Sequence, residues 1–410
     1  MILFYFLIGI MPLTQHRIWA RSVGELTVFK YVGAACVLYA VVRLASRRAV
    51  PAYFRTWQAR LWVVFYVMAA ASYFTKGAGG ALEVSPFLSY TSFLLLFFVT
   101  VTVVDSLRRL RWVLLVAVGS VAFASLYVVR EWQKYHSVYA GFRPGWVVGD
   151  PNYFTISALL TLPIAFVLML GAKEFWERLF CTGCLLLTLV AVILGASRGG
   201  FLGLVAAFLF AVWHSRARLR NLALVGALVL PLSLLSPISP LQRLLHPTSM
   251  DTGAADSRTA VWKAGLHMMA AHPIAGVGLG NFKLMVPQYS HDKNPPDNIA
   301  HNAYIEIGAE MGLPALFAFQ GILVFSYRTL SRVRVRASRA GLPFVWQAAS
   351  SLQAGLVGSG VAIFFVSGQY QKLLWLVIFL STCAPELVRS TVDPHRHSEK
   401  LNVAVAGNRS

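Results

Sequence analysis

Long apolar runs recur along the whole of this chain and restrict it to one class of fold. Runs of 13 to 25 residues alternate with short polar links, most of them basic. The hydrocarbon of a bilayer offers no hydrogen-bond partner, so a chain that crosses it must satisfy its backbone internally, as a helix or a closed barrel. Barrel strands would be ~10 residues long with alternating polarity, and these runs do not alternate. With 57% hydrophobic and only 13% charged residues, the chain is not that of a soluble protein. The expected fold is an all-α polytopic membrane protein.

Twelve hydrophobic segments are expected, at about 1–13, 26–44, 61–74, 87–105, 112–130, 153–171, 179–195, 200–213, 221–236, 303–326, 344–366 and 371–388. The first is short for a span and lacks the basic leader and small-residue cleavage site of a signal peptide, so it reads as a short helix or the remnant of a longer one. The organisation follows: residues 1–236 hold helices one to nine, 237–302 form a long polar loop with short helices, 303–388 hold the last three helices, and 389–410 are a tail. The net charge of +20 could point to nucleic acid, but its distribution is that of a membrane protein. One alternating set of links carries 22 Lys and Arg, and the opposite set carries 13, five of them in the long loop. Dense positive charge in short loops marks the cytoplasmic side. Both termini are therefore expected in the cytoplasm and the long loop on the far side, the periplasm of a Gram-negative cell. The four cysteines all fall in apolar runs, so no disulfide is expected. Cys181 and Cys184 have redox spacing without a strand–helix context and read as small packing residues.

The long loop and its flanks hold most of the residues with chemical potential. Arg198 sits in the turn Ala196-Ser197-Arg198-Gly199-Gly200, where a guanidinium fork beside glycine backbone suits a phosphate; the bland alternative is an arginine reaching for lipid headgroups. Arg258 follows Asp256, which is expected to cap an amphipathic helix over 257–271, with a loop ion pair between the two as the plainer reading. His301 lies where the loop re-enters the membrane, a position for a general base near neutral pH. Asn302, Glu306 and Glu310 follow at four-residue spacing and stack on one helix face; arginines of neighbouring turns are their expected partners, since ionisable groups within a span seek one. Arg17, Arg21, Asp150 and Asn152 fall on the same side. The run Gly276-Val-Gly278-Leu-Gly280 lacks the preceding strand of a dinucleotide fingerprint and reads as a close-packed turn against the membrane surface. His272, His291 and Asp297 have no metal-ligand spacing, and neither metal nor cofactor is expected.

In combination these motifs are familiar. A Ser-Arg-Gly-Gly turn, then Asp256-Ser-Arg258-(x)3-Trp262, then His272-Pro-Ile-Ala-Gly-Val-Gly-Leu-Gly-Asn-Phe282, end in His301-Asn-Ala-Tyr-Ile-Glu-Ile-Gly-Ala-Glu-Met-Gly-Leu-Pro314. The chain resembles the O-antigen ligase family and its relatives, the O-antigen polymerases and bacterial protein O-oligosaccharyltransferases. The resemblance is densest from about Gly149 to Pro314. The ligase pattern His-(x)10-Gly is met by His301 and Gly312; Arg-(x)3-Leu is met at Arg258 with Trp262 in place of leucine. The resemblance implies a metal-independent, inverting transfer of a glycan from undecaprenyl pyrophosphate to an acceptor hydroxyl, such as lipid A–core, at the periplasmic face of the bacterial inner membrane. His301, Arg258 and Arg198 would be catalytic, and Arg17, Arg21, Asn152, Asp256, Asn302 and Glu306 would bind substrate. A polymerase using a second lipid-linked glycan as acceptor is the alternative within the family. A small-solute transporter is the alternative outside it, but inverted repeats of the kind transporters carry are not visible. A purely structural subunit would leave the arginine and histidine contexts as coincidence.

Overall fold

The computed structural model describes residues 1–13, 22–23, 26–45, 55–76, 86–139, 142–214, 218–220, 222–223, 226–227, 249–290 and 299–392. Thirteen helices organise them. They are α1 (Ile2–Ile10), α2 (Val28–Ala45), α3 (Trp57–Lys76), α4 (Pro86–Val103), α5 (Leu107–Tyr135), α6 (Pro151–Gly171), α7 (Phe175–Leu194), α8 (Arg198–Trp213), α9 (Ser249–Ala271), α10 (Phe282–Tyr289), α11 (Ala303–Arg339), α12 (Pro343–Ala362) and α13 (Lys372–Val392). One short antiparallel ladder pairs Ser22–Val23 with Leu26–Thr27. Seven of these helices, α2, α4, α5, α6, α7, α11 and α13, are long and apolar enough to cross a membrane. The expected segments at 1–13 and 200–213 are apolar but shorter. Those at 61–74 and 344–366 fall in α3 and α12, and most of 221–236 lies outside the described residues.

Helices succeed one another with alternating ends. At one end Arg43 and Arg109 share Asp105, and Arg111 grips Glu177 at 2.5 Å. At the other, the start of α6, the α7–α8 turn, the start of α11 and the α12–α13 loop come together. Inside a bilayer the hydrophobic effect does not drive helices together, so close packing must. The α8–α12 contact shows how: a Cβ on Gly203 would lie 2.5 Å from the carbonyl of Gly358, and one on Gly358 would lie 2.7 Å from that of Gly203. The buried Gln353 of α12 bonds to α11, its Nε2 donating to Ser331 Oγ at 2.6 Å and to the Tyr327 carbonyl at 3.1 Å. Aromatic rings fill the centre, with Trp62 and Trp375 centroids 4.3 Å apart. Cys181 and Cys184 are free and buried in α7.

One helix departs from its expected form. α11 breaks at Gly312, where φ is 83° and ψ is 172°, a region open in practice only to glycine. Pro314 follows and supplies no N–H. The break is filled from the long loop: Pro273 offers its carbonyl to Leu313 N at 2.8 Å, and the Ala309 and Glu310 carbonyls accept from Val277 N and Gly278 N at 2.8 and 3.1 Å. Backbones approach so closely that a Cβ on Gly312 would lie 2.1 Å from the Ile274 carbonyl. The glycine run is thus a close-packed turn, as read from sequence, but its partner is a broken helix rather than the membrane surface. Gly312→Ala is expected to cost about 1–3 kcal/mol from backbone strain alone, with the clash in addition. Gly183→Ala, where a Cβ meets nothing within 4 Å, serves as the control. Thermal unfolding in detergent checks the pair, and equal midpoints would contradict the packing described.

Candidate active site

The site is built where four helix ends meet. α6 starts on Asp150, whose carboxylate accepts from Asn152 N at 2.7 Å and Tyr153 N at 3.2 Å, with Pro151 pre-set for the first helical position. α8 starts on Ser197, whose hydroxyl accepts from Gly200 N at 3.2 Å. Arg198 is therefore the first residue of α8 and half-buried. Its neighbouring glycines are closely packed: a Cβ on Gly199 would lie 2.5 Å from Phe365, and one on Gly200 would lie 2.2 Å from Thr155.

α11 starts on Asn302, fully buried, whose Oδ1 accepts from Tyr304 N at 3.0 Å and Ile305 N at 3.1 Å. This cap places His301 just outside the helix in a left-handed conformation, φ 47°. Four residues on, Glu306 faces inward and accepts from Ser367 Oγ at 2.5 Å and Gln369 Nε2 at 2.7 Å. A further turn along, Glu310 accepts from Phe282 N at 3.2 Å. Among the described residues, which leave out Arg17 and Arg21, neither carboxylate is in an ion pair; the donors to them are neutral groups of the α12–α13 loop and the glycine loop. Sequence spacing located both carboxylates on one face but could not show what faced them.

α9 brings Arg258. The helix begins at Ser249, well before Asp256, so Asp256 lies within it and does not cap it; its side chain is outside the described residues, as are Arg17 and Arg21. α9 lies against α11 with Gly265 facing Ile305, and Trp262 Nε1 donates to the Ala300 carbonyl at 2.7 Å. An indole can make that bond and a leucine cannot, which accounts physically for tryptophan at this place. Arg258 is one helical turn before Trp262 and so shares its face. Burial lowers the pKa of His301, the Arg258 guanidinium lowers it further, and the Asp150 carboxylate opposes both. His301, Arg258 and Asp150 thus act on one another across three different elements.

Residues that sequence reasoning missed supply much of the framework. The loop 363–371 accepts Ala303 N on the Ile363 carbonyl at 2.9 Å, lays Phe365 on Gly199, and sets Phe364 5.5 Å from Trp262. Together with Ser367 and Gln369 on Glu306, it touches the elements of Arg198, Arg258 and His301. No motif marks it, because its role lies in hydrogen bonds to distant residues. Arg143 was likewise unflagged: its Nη2 donates to Asn152 Oδ1 and its Nε to the Gly195 carbonyl, both at 3.0 Å. A cavity of about 620 Å³ between the opposite halves of α6, α8 and α12 is apolar and holds none of the candidate side chains.

Two half-buried guanidiniums and an imidazole kept neutral at pH 7 can hold an anion and accept a proton. The titration of His301 is measurable by its acylation with diethyl pyrocarbonate, which requires the neutral ring. The midpoint is expected below the usual ~6.5. Arg258→Gln should raise it, and Asp150→Asn, which keeps a capping side chain, should lower it. A wild-type midpoint above the usual value would contradict this electrostatic environment. Compared with curated proteins, the chain has no match. Residues 183–320, which hold Arg198, α9 and its Arg258, the glycine loop and His301, match the family model described as O-antigen ligase.

Proposed function

We propose that the protein is a membrane glycosyltransferase of the O-antigen ligase type. It moves a glycan from undecaprenyl pyrophosphate to a hydroxyl of lipid A–core at the periplasmic face of the inner membrane. The observation that carries this reading is that Arg258 lies near enough to the half-buried His301 for burial and the guanidinium both to lower its pKa, at the bundle end where α8 opens with Arg198, within the stretch that matches the family model. The end that bears Arg43, Arg109, Arg111 and Arg178 would face the cytoplasm, by the bias of positive charge to that side.

In the proposed reaction the acceptor oxygen attacks the anomeric carbon opposite the pyrophosphate. The new carbon–oxygen bond forms as the bond to the phosphate oxygen breaks, and the electron pair leaves with undecaprenyl pyrophosphate. Single displacement inverts the anomeric centre, by the logic of inverting glycosidases. Charge builds on the leaving oxygen, where Arg198 and Arg258 would stabilise it; preorganised groups of this kind are commonly the largest single catalytic contribution. The acceptor proton passes to the imidazole of His301, a step worth ~10²–10⁴-fold. Asn152 and Asn302 would contact sugar or phosphate oxygens. Glu306, with its oxygens already engaged by Ser367 and Gln369, would hold the site in shape. Arg17, Arg21 and Asp256 remain proposed substrate contacts by resemblance alone.

Reconstituted protein given undecaprenyl-pyrophosphate glycan, with and without lipid A–core and in the presence of chelator, tests the proposal. Glycan on lipid A–core is the expected outcome. Longer lipid-linked chains with the core unmodified would make the protein a polymerase, and no transfer to either acceptor would refute both. Arg258→Ala and His301→Ala should each reduce transfer by at least roughly 10²-fold without loss of folded protein. Arg198→Lys, which keeps charge but loses the fork, should also be strongly impaired.

A further inference from the structure

Arg143 lies in the link between α5 and α6, where no part of the reaction just described uses it. Its surroundings are built with care. The buried Glu131, near the end of α5, accepts from Gly145 N at 2.7 Å and from Val147 N at 3.4 Å. That carboxylate fixes the link from one side. From the fixed link the guanidinium reaches two separate elements with two of its nitrogens. Nη2 donates to Asn152 Oδ1 in the first turn of α6, and Nε donates to the carbonyl of Gly195 at the end of α7.

Gly195 caps the end of α7, directly before the Arg198 turn. The next residue, Ala196, has φ 47°, a conformation that costs a non-glycine residue free energy and needs its surroundings to hold it. Then come the Ser197 cap and Arg198. A chain of contacts therefore runs from Glu131 through the link and Arg143 to Asn152 on one arm and the Arg198 turn on the other. An ammonium has three donors but all on one nitrogen, so it cannot reach two acceptors set to match Nε and Nη2 of the planar fork.

We propose that Arg143 is a positioning residue: it locks the Arg198 turn to the start of α6, so that Arg198 and Asn152 present one preorganised surface to the pyrophosphate of a lipid-linked glycan. The assignment of Arg198 to that pyrophosphate rests on the proposed transferase reading; the lock itself does not. Preorganisation acts mainly on the reacting geometry, where small misplacements cost about 10²-fold. Loss of the lock should therefore lower kcat with little change in donor KM.

Four purified proteins test this: wild type, Arg143→Ala, Asn152→Ala and the double variant, with Arg143→Lys as a fifth. In the reconstituted transfer assay Arg143→Ala should lose about 10²-fold in kcat. Arg143→Lys should fail to restore it, and the double variant should lose less than the two single losses combined. Full activity of Arg143→Lys, or additive losses in the double variant, would overturn the lock. Thermal unfolding of the same proteins gives a second double-mutant cycle that needs no substrate. Non-additive midpoints support the Arg143–Asn152 bond even if the wild type transfers nothing, an outcome that would sink the transferase reading alone. Additive midpoints overturn the lock whatever the activity.

Discussion

A carboxylate buried among membrane helices is costly unless it is hydrogen-bonded, and Glu306 meets that demand in a way that shapes the whole site. Its oxygens take hydrogen bonds from Ser367 and Gln369, which obliges the loop between α12 and α13 to fold back over the start of α11. Once there, that loop receives the Ala303 amide on the Ile363 carbonyl and presses Phe365 against Gly199. The position of Arg198 relative to His301 is therefore linked to one satisfied carboxylate. Removing it would leave a hydroxyl and an amide without their acceptor, and the cost would be felt at the far ends of two other helices.

Glu310 and Gly312 make a second anchorage by the same economy of backbone groups. A broken helix exposes amides and carbonyls that water cannot reach, and the loop from Pro273 to Phe282 supplies the partners. Ser72 on α3 adds a hydroxyl to the Glu310 carbonyl at 2.6 Å. Broken helices in transporters commonly expose backbone to a substrate or ion; here the freed groups are used up by the protein's own loop. That use favours a static anchorage over a transport site, and it fixes the far end of α9 against α11, so that Arg258 is carried to His301 by packing as well as by charge.

The electrostatics of the resulting site follow from its place at the end of the bundle. Arg258 and burial both disfavour the imidazolium, and Asp150 only partly offsets them. An imidazole held neutral beside cationic groups can take a proton from a hydroxyl while the cations attend to a leaving anion. In the proposed transferase reaction, acid–base work and anion stabilisation would thereby be divided between different side chains that influence one another.

Much of this was legible in the sequence. The apolar runs set the helices because lipid permits little else, and Asp150, Ser197 and Asn302 are cap residues ahead of apolar stretches, so the helix starts that carry Arg198, Asn152 and His301 could be placed within a few residues. The glycines at 276 and 312 marked close approach, though not of what to what. The error at Asp256 was local: α9 extends back through Gly253, Thr252 and Asp251 to Ser249, residues whose weak propensities gave no sign of helix. The partners of Glu306 and Glu310, the bridge made by Arg143, and the part played by Trp262 were decided by tertiary structure. Each depends on hydrogen bonds between residues far apart in the chain, from Arg143 to Gly195 and from Glu306 to Ser367. Sequence periodicity reports which face of a helix is apolar, and it carries no information about which polar atom will be waiting on the other side.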